Sequence, residues 1–358
     1  MANNNKMKLV LPDGRQFHGL SCGADKPVCG ELVFNSSMVG YQEILSDPSY
    51  AGQIIVMTYP LIGQYGITDE DFESKTPGLA GFIVRECCDT PSNFRYTKTL
   101  PEYLDDKAIP CLSGIDTRML THIIREEGSM TAALVPEETP VSEAMDMIKV
   151  HVADKDAVKN VTCTKRRFAR TPQHSHDVVI LDCGLKQSVV AALTSRGCNV
   201  TVVPATSSAD EILAFNPDGL LISSGPGNPE DASYIVDVVN ELKGKLPIFG
   251  ISLGHCLLAL SYGASIYKLK SGHHGGYPVR DLETGRIVTV EMNHNYSVCE
   301  DSALAAGLKL TYRNVADGTL AGIANEADKV YSVQFNPEGG PGPEETDFFD
   351  KFVKMMEE

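Results

Sequence analysis

Short apolar runs alternate with amphipathic segments along the second half of the chain. The apolar runs predict buried strands, and the segments between them have the spacing of helices. Strands are predicted at residues 178–181, 200–203, 220–222 and 247–250, and helices at 188–195, 209–214 and 233–243. Apolar strands separated by helices are typical of a parallel sheet that is covered on both faces. We therefore predict an α/β domain with a mainly parallel sheet over residues 177–358.

The first part of the chain has a mixed β and α pattern. Strands are predicted at residues 8–11, 31–34 and 53–57. Thr117–Glu127 has apolar side chains at helical spacing, and Gly128 after it is a typical helix stop. This pattern predicts a separate N-terminal domain over residues 1–150.

Residues 151–176 connect the two predicted domains and are rich in polar and basic side chains. Their composition favours a solvated linker. A nucleic-acid-binding arm is the alternative, but the basic run at residues 165–170 is short and internal.

Charge and hydropathy argue against a nucleic-acid-binding protein and against a membrane protein. The 358-residue chain has a formal net charge of -16, which disfavours nucleic-acid binding because a phosphate backbone attracts Lys and Arg. No apolar run approaches the roughly 20 residues that span a bilayer, and residues 1–6 lack the apolar stretch of a signal peptide. We expect a cytoplasmic protein that binds neither nucleic acid nor membrane.

The ten cysteines are not spaced as metal ligands or as an obvious disulfide framework. The chain has no Cys-x-x-Cys pair, and Cys87 and Cys88 are adjacent. We expect most of the cysteines to be small buried side chains in a reducing compartment. His273 and His274 could suggest a metal site, but no third ligand stands at suitable spacing, which favours a structural loop or a subunit contact. We therefore predict no metal site.

The segment Gly250–Gly254 has the Gly-x-Ser-x-Gly spacing of a nucleophile elbow, with Ser252 at its centre. It follows a predicted strand and precedes an apolar helix. Flanking glycines relieve the crowding of such a turn, and the nucleophile then lies at a helix N-terminus, where backbone N–H groups can bind an oxyanion. Alternatively, Ser252 is only a helix N-cap, a position that serine favours.

Two further segments accompany the elbow. Ser223–Pro229 is glycine-rich and follows a predicted strand, and Ser332–Glu338 contains Gln-Phe-Asn-Pro-Glu. In this order the three segments resemble the class I, triad-type glutamine amidotransferase domain. In that family a cysteine attacks the side-chain amide of glutamine, a histidine relays protons, and a glutamate orients the histidine.

The resemblance places Ser252 at the cysteine position, Asn336 at the histidine position and Glu338 at the glutamate position. A serine nucleophile needs a base to take its proton, and asparagine has no titratable nitrogen. Losing the base of a serine triad costs on the order of 10⁶ in turnover. We therefore predict weak or absent glutamine hydrolysis.

A relocated triad is the alternative. His255 lies one side chain beyond the elbow, and Cys256 lies about one helical turn from Ser252. Neither would occupy the nucleophile position. Asn336 also suits an ordinary turn, because it precedes Pro337.

The N-terminal half carries its own set of motifs. They are Gly30–Met38, Gly40–Tyr50, Thr58–Gly63 and Ser113–Arg118, and Gly272–Gly276 and Pro341–Pro343 accompany them further along the chain. Together they resemble the small, glutaminase subunit of carbamoyl phosphate synthetase over almost the whole chain. Other class I amidotransferases lack this N-terminal domain.

This resemblance implies a function in a two-subunit enzyme. The small subunit hydrolyses L-glutamine and passes ammonia through a tunnel to a large synthetase subunit. There, bicarbonate, ATP and ammonia become carbamoyl phosphate for arginine and pyrimidine synthesis. The ATP and metal sites are implied for the large partner, and this chain is expected to hold no cofactor.

The resemblance also implies a glutamine pocket. The positions that match the family's pattern are Ser37, Gly225, Gly227, Leu253 and Asn293, and Tyr296 fills an aromatic position. Cys256 stands where the family has a glutamine, and Asn295 stands where it has a glycine. A side chain at Asn295 would intrude where backbone is meant to approach the substrate. The pocket is thus altered as well as the triad.

Three functions follow from these observations. The favoured one is a carbamoyl phosphate synthetase subunit whose own glutaminase is weak or lost. The others are a competent glutaminase with an unusual site, and a non-catalytic regulatory or binding homologue.

Overall fold

The computed structural model describes residues 5–75, 77–340, 343 and 345–357. The chain divides into two compact units, which are residues 1–154 with 270–274, and residues 155–269 with 275–358. The strands are β1 Lys6–Val10, β2 Gln16–Ser21, β3 Val28–Asn35, β4 Gln53–Met57, β5 Leu61–Ile62, β6 Gly81–Ile83, β7 Glu86–Cys87, β8 Cys111–Ser113, β9 Met130–Pro136, β10 Arg167–Ala169, β11 His176–Asp182, β12 Cys198–Pro204, β13 Gly219–Ile222, β14 Ile248–Ile251, β15 Ile266–Asp281, β16 Ile287–Val298, β17 Lys309–Asn314, β18 Leu320–Asn325 and β19 Val330–Val333.

The α-helices lie mainly between the strands. They are α1 Tyr41–Ser46, α2 Leu100–Asp106, α3 Thr117–Glu127, α4 Val141–Val150, α5 Ala157–Val161, α6 Gln187–Ser195, α7 Ala209–Leu213, α8 Ser233–Leu242, α9 Leu253–Ser261, α10 Glu300–Ala305 and α11 Phe348–Glu357. Two 3₁₀ helices occupy Pro48–Tyr50 and Pro229–Ala232. The predicted strands and helices are confirmed, with ends that differ by one to three residues at most.

The first unit is a closed barrel with the strand order β1-β2-β8-β6-β4-β3-β9. Alternate residues of β3 face different apolar clusters, since Leu32 and Phe34 pack in one and Val33 packs in the other. Helix α3 covers the first of these clusters with Leu120 and Ile124. The side chain of Asp116 caps α3 by accepting a hydrogen bond from the backbone N–H of Met119.

The second unit is built on a ten-stranded sheet in the order β10-β12-β11-β13-β14-β19-β18-β17-β15-β16. The strands from β12 to β19 in this order are parallel. Helices cover both faces: α6 and α11 contribute to one apolar cluster, and α8 and α9 contribute to the other. The predicted α/β architecture is thus present, with its functional motifs on the parallel part of the sheet.

The parallel strands predicted from the sequence form the centre of the sheet, and antiparallel strands flank them. Strands β10, β18 and β17 pair antiparallel with their neighbours, as does β15 with β17. No crossover helix separates β18 from β19, so these consecutive strands form a hairpin, which is antiparallel by construction.

The predicted linker at residues 151–176 is mostly exposed, and it also holds two short elements that the sequence analysis did not predict. It contains α5 and the edge strand β10, and Val158 of α5 packs in a core cluster of the second unit. The buried Asp182 side chain accepts from the backbone N–H of Cys163 at 3.0 Å and pairs with Arg167 at 3.2 Å. The polar composition of the segment does not predict these contacts, because the residues that it packs against are distant in sequence and belong to the second unit.

The expectation that the cysteines form no disulfide is wrong for one pair. Cys22 and Cys111 are joined by a disulfide, with their Cα atoms 5.1 Å apart. Their separation of 89 residues gives no sequence signal, and only the pairing of β2 with β8 brings them together.

Candidate active site

Three motif segments of the second unit leave the sheet at the same edge. Strands β13, β14 and β19 are parallel neighbours, with Ile222 opposite Gly250 and Ile251 opposite Val333. The carboxyl ends of parallel strands share one edge of a sheet, which is where α/β proteins place their ligands. Residues 223–227, 252–254 and 334–338 therefore converge there.

Ser252 has the strained backbone of a nucleophile elbow. Its φ of 53° and ψ of -102° are unusual for a residue with a side chain. The backbone N–H of Ser252 donates to the carbonyl of Val333 at 2.8 Å, and α9 begins at the next residue. Ser252 occupies the N-cap position, but its side chain makes no capping hydrogen bond. The elbow geometry, rather than helix capping, accounts for this turn.

The elbow glycines are required by close backbone contacts. A Cβ atom on Gly254 would lie 2.3 Å from the carbonyl oxygen of Ile222, and one on Gly250 would lie 2.7 Å from that of Gly254. No L-residue could fit at either position without moving backbone. These contacts hold the start of α9 tightly against β13.

The glycine-rich segment after β13 is also sterically constrained. A Cβ on Gly225 would lie 2.2 Å from the carbonyl oxygen of Cys183 and 2.8 Å from the Leu253 side chain. Gly227 has a φ of +85°, a backbone conformation that favours glycine. Both glycines therefore have a packing reason to be present in addition to the predicted role in binding.

Asn336 is buried beside strand β16. It forms an isolated antiparallel bridge with Glu291, and its backbone N–H donates to the Glu291 carbonyl at 2.9 Å. This bridge fixes the register of β16 against the motif segment that follows β19. Asn293, two residues further along β16, and Asn295 are both buried, whereas Tyr296 is half-buried.

Glu338 forms an ion pair with Lys186, which the sequence analysis missed. Lys186 Nζ lies 2.5 Å from Glu338 Oε1, and the two side chains are only 4% and 1% exposed. Lys186 lies just after β11, whose carboxyl end belongs to the same sheet edge. The signal that could have found it is a lysine between a buried strand and an apolar helix, since lysine is almost never fully buried without a partner.

Comparison with known proteins agrees with this architecture. The family described as "Carbamoyl-phosphate synthase small chain, CPSase domain" matches residues 9–134, and "Glutamine amidotransferase class-I" matches residues 179–356. The pyrimidine-specific small chain of carbamoyl phosphate synthase from Halalkalibacterium halodurans is 46% identical over 98% of this chain and 97% of its own length. This chain belongs to the carbamoyl phosphate synthase small-chain family.

Other small chains show similar agreement. That of Staphylococcus epidermidis is 45% identical over 99% of this chain and 96% of its own length. That of Listeria monocytogenes is 44% identical over 98% and 97%, respectively. The fold is accordingly a small-chain N-terminal domain joined to a class I amidotransferase domain.

His255 is poorly suited to replace the histidine of the small-chain family. Its ring is fully buried, and its Nδ1 lies 2.9 Å from the Ser332 hydroxyl. Within the described residues Nε2 has no hydrogen-bond partner. Burial lowers the pKa of His255 to about 3, so the ring is a weak base at neutral pH.

Cys256 is equally poorly suited to replace the family's nucleophile. Its thiol is buried one turn into α9 and donates to Gln334 Oε1 at 3.4 Å. Burial raises the pKa of Cys256 to about 12, so very little of the nucleophilic thiolate is present at neutral pH. The structure thus offers no support for a triad relocated to His255 and Cys256.

The remaining predicted pocket residues, Leu253 and Ser37, lie in different units. In the second unit, Leu253 packs in the core cluster under α9. Ser37 belongs to the first unit, where its backbone N–H donates to Asn35 Oδ1 at 2.7 Å. Pro341 and Gly342 of the predicted small-chain motif lie outside the described residues.

The adjacent histidines have a local explanation in the first unit. His274 is fully buried, with its ring 6.2 Å from that of Phe34 and 6.1 Å from that of Tyr50. Over the described part of the chain, no cluster of three or more His, Cys, Asp or Glu side chains is arranged to hold a metal ion. A bilayer-spanning helix is likewise not found among those residues.

Proposed function

We propose that this chain is the small subunit of a carbamoyl phosphate synthase whose own glutaminase is weak or lost. In this proposal it supports a large subunit that draws on free ammonia. The observation that carries the proposal is the elbow itself, which holds Ser252 in nucleophile geometry while the histidine position holds Asn336.

The missing base decides the chemistry. A serine hydroxyl attacks an amide only when a neighbouring base accepts its proton, and the amide of Asn336 cannot do so. Lys186 is an unsuitable base because its amino group is engaged in the buried ion pair with Glu338. Without a base, turnover is expected to fall by on the order of 10⁶ relative to an intact triad.

The pocket residues support the same conclusion independently. Asn295 is buried on β16 where the family has glycine, so its side chain occupies space near the proposed substrate position. Cys256 cannot make the contacts of a glutamine side chain and is engaged with Gln334. In the second unit, Gly225, Gly227, Leu253, Asn293 and Tyr296 would remain as the rest of a glutamine pocket. Binding of L-glutamine would therefore be weak or absent.

The partner and the cofactors are part of the proposal. A large synthetase subunit would supply the sites for ATP, bicarbonate and metal ions, and this chain would hold none of them. The chain would contribute the folded surface on which that subunit assembles.

A glutaminase assay tests the proposal. Glutamate release from L-glutamine would be measured for the purified chain, alone and with the large subunit, and with a Ser252→Ala variant as matched control. We expect both chains to give the same background rate, because Ser252 has no base. Hydrolysis at a rate typical of active small chains, abolished in the Ser252→Ala variant, would overturn the proposal.

The non-catalytic alternative has its own test. Co-purification of the tagged chain with the large subunit is expected. Failure of the pair to associate would favour a binding homologue that is detached from synthetase activity.

A further inference from the structure

The barrel of the first unit contains a cysteine pair that the amidotransferase chemistry does not use. Cys22 directly follows β2, and Cys111 is the first residue of β8. The ladder between these strands pairs Leu20 with Ser113 and Ser21 with Leu112. Continuing this register places Cys22 opposite Cys111.

Backbone hydrogen bonds continue the pairing of β2 with β8 beyond the ladder. We call this junction between the two strands the β2–β8 seam. The N–H of Cys22 donates to the Cys111 carbonyl at 3.0 Å, and that of Ala24 donates to the Ile109 carbonyl at 3.0 Å. The two thiols are therefore held face to face by the barrel, with Cα atoms 5.1 Å apart, within the range that disulfides span. The other eight cysteines are free in the structure.

The seam that these cysteines bridge is a short one. Between β2 and β8 the ladder comprises two residue pairs, whereas five pairs join β1 to β2 and five join β3 to β9. A covalent link at this position would reinforce the barrel where its backbone pairing is sparse.

We propose that Cys22 and Cys111 form a reversible disulfide that locks the β2–β8 seam, so that the stability of the barrel responds to the thiol–disulfide balance. The oxidant is a low-molecular-weight disulfide such as oxidised glutathione. One cysteine thiolate attacks it, forming a mixed disulfide and releasing one small thiol. The thiolate of the second cysteine then displaces the other small thiol. Two protein thiols are oxidised, and the small disulfide is reduced to two thiols.

Burial controls the kinetics of this exchange. Cys22 is 5% exposed and Cys111 is completely buried, so a reagent the size of glutathione can reach neither sulfur in the closed barrel. Exchange therefore requires local opening of the seam. The disulfide should resist reduction in the native protein and be reduced readily once the barrel unfolds.

Thiol counting tests the proposal directly. The full chain would be refolded from denaturant in the presence of reduced or oxidised glutathione, so that both sulfurs are accessible, and then denatured again, alkylated and weighed. Of the ten cysteines, we expect ten to be alkylated after reduction and, because one pair is joined, eight after oxidation. Peptide mapping should place the link at Cys22 and Cys111. Ten alkylated cysteines in both samples, or a link elsewhere, would overturn the proposal.

Two variants separate the link from general effects on folding. Cys22→Ser removes one partner, so oxidised and reduced samples should contain the same number of alkylated cysteines. Cys29→Ser removes a free cysteine of the same barrel and should keep the loss of two alkylation sites on oxidation. Retention of that loss in Cys22→Ser would contradict the assignment.

Thermal unfolding gives a second readout on the same samples. A disulfide that closes a loop of about 90 residues is expected to raise the midpoint of the barrel's transition by on the order of 5 °C or more. A reductant that is added to the folded oxidised chain and removed before heating should leave the shift unchanged. A reductant that is present during unfolding should abolish it. Equal midpoints for the fully oxidised and fully reduced chains would show that the link does not lock the seam.

Discussion

Glu338 keeps a charged partner although the histidine position holds Asn336. The Lys186–Glu338 pair is almost fully removed from solvent, and a buried charge is tolerated only when it is paired and hydrogen-bonded. The ion pair with Lys186 therefore gives Glu338 a structural role through packing and charge balance. No role in proton transfer is needed.

A double-mutant cycle should detect this pair. We expect Lys186→Met or Glu338→Gln alone to lower the free energy of unfolding by about 3 kcal/mol, because each variant removes one charge of a buried ion pair. The double variant should be more stable than the sum of the two losses predicts. Urea unfolding measures each value, and the exposed pair Lys309–Glu326 provides a control that should change by less than about 1 kcal/mol. Strict additivity at Lys186 and Glu338 would contradict a coupled buried pair.

On the proposed function, restoring the triad residues should recover only part of the glutaminase activity of an intact site. Ser252→Cys combined with Asn336→His returns a nucleophile and a base, so glutaminase kcat/KM should rise above that of either single variant. Adding Asn295→Gly and Cys256→Gln should raise it further, mainly through a lower KM, because these changes reopen the pocket. Full activity from the first two changes alone would show that Asn295 and Cys256 do not impair the binding of glutamine.

The buried His255 ring predicts a pH dependence of stability. Its pKa falls from 6.5 to about 3 in the folded chain, so the unfolded chain binds a proton that the folded chain excludes. Stability from this group is complete above pH 6.5 and decreases as the pH falls towards 3. A His255→Asn variant should therefore lose less stability than the parent chain between pH 7 and about 4, as measured by urea unfolding. The exposed His122→Asn variant serves as a control, and parallel pH profiles for the parent and His255→Asn would refute the assignment.

At the scale of elements, the join between β14 and α9 is the most tightly specified part of the site. The sequence predicts it because glycines at both sides of Ser252 suit a strained strand-to-helix turn. The sequence signals a buried, paired Lys186, but it could not identify Glu338 as the partner, because that depends on which strands lie between β11 and β19 in the sheet. The docking of residues 157–169 depends in the same way on contacts with a distant strand.

A glycine substitution tests this tight packing. Gly254→Ala should destabilise the second unit by about 2 kcal/mol or more, because its Cβ would lie 2.3 Å from the backbone carbonyl of Ile222. Gly276→Ala is the matched control, since its Cβ would lie 3.6 Å from Thr289 Cγ2, which is an ordinary van der Waals contact. Thermal or urea unfolding distinguishes them. Equal stability of the two variants would mean that the start of α9 can move away from β13.

At the scale of the whole molecule, local sequence patterns predicted the secondary structure of both domains better than the contacts between distant residues within each domain. Apolar runs and helical spacing located the parallel strands and α3, because these features depend on neighbours in sequence. The antiparallel flanks, the packing of α5 and β10, and the Cys22–Cys111 link depend on contacts between distant residues. The motif segments were found because each is contiguous, whereas their convergence follows from the strand order.

The source of nitrogen used by the assembled synthetase tests the central claim most directly. Carbamoyl phosphate formation by the reconstituted pair would be measured with glutamine and with ammonium as alternative nitrogen donors. The substituted triad predicts efficient synthesis with ammonium and a glutamine-dependent rate lower by on the order of 10³ or more. Comparable rates with glutamine and ammonium would contradict the proposed loss of glutaminase activity.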